Sequence, residues 1–325
     1  MRLPAYTRRT FADHTPVERG LLLTISVTLF FGALVGVAAA AGFERVSDRL
    51  GSTHPTWLLL ALAGEAAAYF GYGLAYREIA RVEQGPEISS RRLAAAIATG
   101  FGAFVARGGF TVDLHAFRTA GVSEREARVR VLGLGALEYA VLAPAACGCA
   151  IALLAEGVSR PGLGLTLPWA VGVPLGFAFA LWAVEHRHRF HGRGRWRDLI
   201  GQALDSIYVL RKLLVTPGHA AAPLGATLYW FGDIFCLWAC LHAFGEGSPP
   251  IAQLVVGYAT GYVLTRRTLP FGGAGAVEAL LPFALHWAGV ALAGAVLAVF
   301  AYRVLNLWLP LLPASAGVHE LRDDY

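Results

Sequence analysis

Long stretches without charge alternate along this chain with short links that carry most of its arginines. Runs free of charge or nearly so occupy about 20–42, 57–76, 131–155, 163–184, 219–245, 251–265 and 288–312. A helix needs roughly 20 apolar residues to cross the hydrocarbon core of a bilayer, so each run is long enough, or almost so, to be a membrane span. Two further apolar pieces, 93–106 and 270–287, are short or interrupted by glycine. Irregular backbone at membrane depth survives only where protein or a wet cavity satisfies its N–H and C=O groups, so these pieces predict half-helices or re-entrant segments around an interior site. The expected fold is an all-α polytopic membrane protein with about 7–8 transmembrane helices plus those interrupted segments.

Composition agrees with that pattern. The 325 residues are 56% apolar and only 15% charged, with a mean hydropathy of +0.54. These values exclude a secreted disulfide scaffold, a disordered chain and a collagen-like repeat. They also remove nucleic acid as a partner despite the net charge of +5. Cys147, Cys149, Cys236 and Cys240 all lie in apolar runs, where a thiol packs as a small hydrophobe. Cys236 and Cys240 stand one helical turn apart but have no second pair of ligands at metal-binding spacing. No cofactor or metal is expected.

Arginine sets the orientation. Arg2, Arg8, Arg9 and Arg19 precede the first run, Arg77, Arg81, Arg91 and Arg92 fill 77–92, and 186–198 holds five arginines and three histidines. By the positive-inside rule these parts face the cytoplasm of a cell (plasma) membrane. The first apolar run is about twice the length of a signal-peptide core and reads as an uncleaved helix. The expected organisation is a cytoplasmic segment 1–19, one membrane domain 20–312 and a tail 313–325. Within the domain, 186–218 combines a basic loop with an amphipathic helix over 199–215, both suited to anionic headgroups.

The densest chemistry lies in Arg266-Arg267-Thr268-Leu269-Pro270-Phe271-Gly272-Gly273-Ala274-Gly275-Ala276-Val277-Glu278, followed by an apolar stretch with Tyr302-Arg303, Trp308 and Pro310. Pro270 stops one helix, Gly272, Gly273 and Gly275 permit a turn, and a new helix beginning near Gly275 places Glu278 in its first turn. A charge inside a membrane helix costs about 2.5–3.5 kcal/mol on insertion scales, so Glu278 and Arg303 should face inward and pair. An earlier stretch repeats the order: Arg107-Gly108-Gly109, Asp113, Arg118, Ala120-Gly121-Val122 and a helix with Glu138 and Pro144. The two regions, about 93–156 and 251–312, could be pseudo-repeats with a site at their interface. Asp233 lies in mid-span and is a further binding candidate, while Glu65 could be satisfied by Tyr69 and Tyr72 on its own helix. Trp57, Trp169, Trp182 and Trp308 lie near span ends and read as an aromatic belt. Paired glycines such as Gly32 and Gly36, Gly172 and Gly176, and Gly257 and Gly261 read as helix-packing positions.

The segment from Leu269 to Glu278, with Gly289-Val290, Tyr302-Arg303 and Trp308-Leu309-Pro310 downstream, resembles the signature of the lysylphosphatidylglycerol synthase transmembrane (flippase) family. Arg107-Gly108-Gly109 to Arg118, Gly121-Val122-Ser123 and the helix through Glu138 resemble its first motif region, with Phe110, Asp113 and Tyr139 departing from the family pattern. The resemblance implies handling of an anionic phospholipid or polyprenyl-linked headgroup between leaflets. Arg266, Arg267 and Arg303 would be the anion contacts, since a guanidinium can donate two parallel hydrogen bonds to a phosphate. Bifunctional relatives add an aminoacyl-transferase domain, and the 13 residues after Leu312 leave no room for one, so the chain is expected not to be an enzyme. An accessory membrane subunit, with the same charges merely buried in pairs, is the second reading, and a membrane-embedded transferase or hydrolase acting on lipid-linked sugar is a third, for which the sequence has no HExxH helix, GxSxG elbow or dense acidic metal motif. The sequence leaves a homo-oligomer open.

Overall fold

A computed structural model describes residues 16–101, 109–159, 161–190, 194–245, 247, 249–262, 269–310 and 312–313. Among these, all regular structure is helical. The helices are α1 (Pro16–Ala41), α2 (Phe43–Gly51), α3 (Pro55–Arg81), α4 (Ser90–Gly100), α5 (Gly109–Thr119) and α6 (Glu124–Ala155), then α7 (Leu163–Glu185), α8 (Arg195–Val215), α9 (Ala221–Ala243), α10 (Ile251–Tyr262), α11 (Ala276–Trp287) and α12 (Leu292–Arg303). Five of them, α1, α3, α6, α7 and α9, are long and apolar enough to cross a membrane. The apolar runs at 251–265 and 288–312 form shorter helices among the described residues, and α12 continues as a π-helical turn over Val304–Trp308.

Several helices outrun the apolar patches that predicted them, because charged turns continue them beyond the hydrocarbon. α6 starts at Glu124, seven residues before the apolar run. Ser123 caps it by accepting from the Glu126 N–H, and Arg128 and Arg130 pair with Glu124 and Glu126 one turn back. Arg130 is itself buried and donates to the carbonyls of Ile79, Ala80 and Val82. That ties α6 to the end of α3. The link expected at 43–56 holds the short helix α2.

α3 and α9 are the most extensively packed pair and form the centre of the bundle. Their shared face is built on Gly64, Gly71, Gly225 and Gly232, where an added Cβ would stand 2.5–2.9 Å from backbone of the opposite helix. Small residues let two helix backbones touch, and in lipid such close packing replaces the hydrophobic drive available in water. Gly257 and Gly261 likewise press on α11, but Gly32, Gly36, Gly172 and Gly176 have nothing within 4 Å. Those two pairs are not packing positions. α7 lies at the periphery and leaves Leu163, Leu167, Val171, Leu175 and Phe179 exposed, a stripe suited to acyl chains. Of the expected belt only Trp182 is exposed. Trp169 donates to Thr260, Trp57 stacks on His242, and Trp308 packs against Phe30.

α5 and α11 end alike. After each, a glycine at positive φ, Gly121 at 91° and Gly289 at 105°, lets the following valine N–H bond back into the last turn, Val122 to Phe117 and Val290 to Leu285. This six-residue closure is the Schellman stop, and glycine adopts its left-handed position without the Cβ penalty.

Replacing Gly232 with alanine should lower the thermal midpoint of the detergent-purified protein by the equivalent of about 1–3 kcal/mol, the usual range for overpacking. Gly172→Ala should leave it unchanged or slightly raised, as a helix gains from alanine where space is open. Equal effects would mean that α3 and α9 are not in backbone contact.

Candidate functional site

Pro270 opens a tight turn over Pro270–Gly273 in which the chain enters left-handed space. Phe271 has φ 58°, Gly272 61°, Gly273 75° and Gly275 85°. A phenylalanine there is strained by order 1–3 kcal/mol, a burden that persists only where surrounding contacts over-determine the backbone. Gly275 then caps α11, and its N–H donates to Glu278 Oε2 at 2.5 Å. Glu278 thus sits in the first turn of α11, where the partial positive charge of the helix end favours a carboxylate.

Arg303, at the end of α12, is 1% exposed. Its Nε donates to Glu278 Oε1 at 2.5 Å, Nη2 to the carbonyl of Gly272 at 2.9 Å, and Nη1 to Asn306 Oδ1 at 3.3 Å. All three nitrogens therefore have protein acceptors. The predicted ion pair is present, but Arg303 is not the open anion contact that the sequence suggested. Its charge is buried and held by Glu278 and by the turn that Glu278 caps.

Asn306, in the π-helical turn, joins this pair to two more acids. Its Nδ2 donates to Glu65 Oε1 at 3.0 Å and to Asp233 Oδ1 at 2.9 Å, while its Oδ1 also accepts from Tyr262 at 3.0 Å. Both amide hydrogens and the oxygen are used, which fixes the orientation of the side chain. Tyr69 donates to its backbone carbonyl at 2.9 Å. Asp233 Oδ2 accepts from Tyr302 at 2.8 Å and from Tyr258. Side chains from α3, α9, α10, α11, α12 and the π-turn thereby meet in one hydrogen-bonded cluster. Glu65, Asp233, Tyr258, Tyr262, Glu278, Tyr302, Arg303 and Asn306 are all buried.

Of the residues chosen from the sequence, the structure gathers Gly272, Gly273, Gly275, Glu278, Tyr302, Arg303 and Asp233 at this cluster or the turn beside it. It separates the rest. Asp113 is buried on α5, where its Oδ2 accepts from Tyr72 at 3.2 Å and its carbonyl from Tyr76. Glu138 is buried on α6, its carbonyl accepting from Trp230, whereas Arg118 is exposed at the end of α5. Arg107, Arg266 and Arg267 lie outside the described residues. Glu65 accepts from Asn306, while Tyr69 donates to the Asn306 carbonyl and Tyr72 to Asp113. Asn306, Tyr258 and Tyr262 escaped a reading based on charge because all three are neutral. The signal was an asparagine inside an apolar run, one turn after a buried arginine.

No protein-family model and no curated protein matches the chain. Cys236 and Cys240 are buried in the α9 core, and among the described residues no three His, Cys, Asp or Glu side chains are placed to hold a metal ion.

Arg303→Met should destabilise the protein by about 3–5 kcal/mol, because it strands the buried Glu278 carboxylate. Glu278→Leu combined with Arg303→Met should recover much of that loss in thermal or denaturant unfolding. Strictly additive losses would show that the two residues do not form a buried pair.

Proposed function

We propose that this chain is a transporter-like membrane protein that moves or handles the headgroup of an anionic phospholipid or polyprenyl-linked lipid between leaflets. The observation that carries this reading is the buried cluster of Glu65, Asp233, Glu278, Arg303 and Asn306 at the glycine-interrupted junction between α10 and α11. Ionisable groups inside apolar helices are expensive and mark substrate or ion paths by default. Discontinuous helices near the midplane are the usual frame for such a site. At 1.5 Å per residue, the 11 residues of α4 and the 12 of α11 reach only about half of a bilayer core. We read them as the re-entrant pieces of a protein with about 7–8 crossings. The repeated order of glycines, acid and apolar helix supports treating 93–156 and 251–312 as pseudo-repeats. Together with the motif resemblance, these features lead us to read the chain as a member of the lysylphosphatidylglycerol synthase transmembrane group, in the plasma membrane with its N-terminus in the cytoplasm.

The cluster is held in its closed form by its own hydrogen bonds. In this reading a headgroup phosphate competes for Arg303, with Arg266 and Arg267 as further anion contacts, and Glu278 and Asn306 take the Arg303 donors back when the lipid leaves. The second reading, an accessory subunit without transport, is favoured by one specific fact: each nitrogen of Arg303 is already matched to a protein acceptor.

In vesicles reconstituted with the full chain, a fluorescent anionic phospholipid should equilibrate between leaflets faster than in protein-free vesicles. Glu278→Gln should slow that exchange about ten- to a hundredfold, the effect of losing one charged hydrogen bond of about 1.5–3 kcal/mol at the barrier. Equal rates for a folded variant and the parent chain would favour the accessory reading.

A further inference from the structure

α1 carries three hydroxyl side chains, Thr24, Ser26 and Thr28. Thr24 and Thr28 are exposed and donate to the carbonyls one turn back, Gly20 at 2.9 Å and Thr24 at 2.8 Å, the ordinary way in which a helix satisfies a hydroxyl in lipid. Ser26 behaves differently. It is fully buried, and among the described residues its Oγ finds no hydrogen-bond partner. It lies one turn before Phe30 and two before Leu34, on the buried stripe that continues through Val37, Ala38 and Ala41. On that stripe Phe30 stands edge-on to Trp308 at 5.3 Å and against Phe300 at 6.1 Å. Trp308 ends the π-helical turn, and its indole N–H is a second buried donor without a partner among the described residues. Buried polar groups are nearly always hydrogen-bonded, so two orphaned donors along one seam call for a physical reason. π-Helical turns are rare and concentrate at functional sites.

The seam itself is slight and apolar. Phe30, Leu34, Val37 and Ala38 form a small core with Ala274, Val296 and Leu307, separate from the main core of the bundle. The other side of α1, through Leu21, Leu29, Phe31 and Val35, is exposed. Where α1 ends, Gly42 at φ 91° breaks it from α2, a position able to absorb a change of helix direction. Leu29 lies near the middle of the apolar stretch Gly20–Ala41, and a Cβ at Gly275 would stand 3.2 Å from its Cβ and 3.3 Å from its carbonyl oxygen. Gly275 is the residue whose N–H holds Glu278. α1 is therefore the wall between that capped turn and the surrounding acyl chains.

We infer that α1 is the lateral gate of the buried site: a phospholipid headgroup enters between α1 and the π-helical turn, and Ser26 and Trp308 give it neutral donors on the way to Arg303. The inference rests on the transport reading above and adds the route. A hydroxyl and an indole N–H each offer one hydrogen to a phosphate or ester oxygen. With α1 seated, both are shut away from any acceptor. With α1 displaced about Gly42, both face the entering headgroup while the acyl chains stay along the exposed side of the helix.

Photocrosslinking in vesicles reconstituted with the full chain tests the route. N-acylated phosphatidylethanolamine bearing a diazirine on its headgroup should form adducts within 26–34 and 304–308, whereas the same diazirine at the end of an acyl chain should mark the exposed sides of α1 and α7. Ser26→Ala with Trp308→Phe should lower the headgroup adducts about two- to tenfold for each donor removed, the worth of one neutral hydrogen bond. Ser26→Ala alone should act in the same direction without lowering the thermal midpoint, because it removes a donor that the fold leaves unmet. Headgroup adducts missing from both segments, or unchanged in a folded double variant, would overturn the gate, and so would a marked fall of the thermal midpoint in Ser26→Ala. Adducts without faster leaflet exchange would uphold the route and overturn transport, and faster exchange without adducts would do the reverse.

Discussion

A guanidinium enclosed by apolar helices is tolerated only when each of its nitrogens finds an acceptor and its charge finds a counter-charge. Arg303 meets that demand through three different pieces of chain: Glu278 in the first turn of α11, the carbonyl of Gly272 in the preceding turn, and Asn306 one turn further along its own helix. The left-handed path through Phe271 and the glycines turns the Gly272 carbonyl toward α12 while the Gly275 N–H reaches Glu278. The strain in that path and the burial of the arginine therefore explain each other.

Asn306 extends the constraint to the centre of the bundle. It reaches Glu65 on α3 and Asp233 on α9 because those two helices touch backbone to backbone at four glycines. Bulkier residues at those positions would move both carboxyls away from the amide. α3 also serves the earlier interrupted region, since Tyr72 and Tyr76 donate to Asp113 on α5 while Tyr69 donates to Asn306. One helix thus contacts both regions that share the glycine-interrupted pattern, and a shift of α3 along its axis would be felt at each.

The periphery follows different physics. α7 turns a leucine-rich side outward, and α8 carries one apolar face for the protein and another for its surroundings. Where they meet, Arg187 and Lys212 lie over the Tyr208 ring.

Much of this was readable before any coordinates, because bilayer thickness and the cost of buried charge act on local sequence. Runs of apolar residues predicted the five long helices, and the proline and glycines near 270–275 predicted a break with Glu278 at a helix start. The rule that a membrane charge needs a partner foretold the bond from Arg303 to Glu278. Two kinds of fact were invisible. Neutral side chains such as Asn306, Tyr258 and Tyr262 carry no charge penalty to flag them, and their importance arises only when acids from helices 241 and 73 residues away converge on the same amide. Helix faces were equally hidden, since Gly32 and Gly232 look alike in a string of letters. Only packing showed that Gly232 meets the backbone of α3 while Gly32 has open space beside it, because which side of a helix finds a neighbour is a property of the assembled bundle.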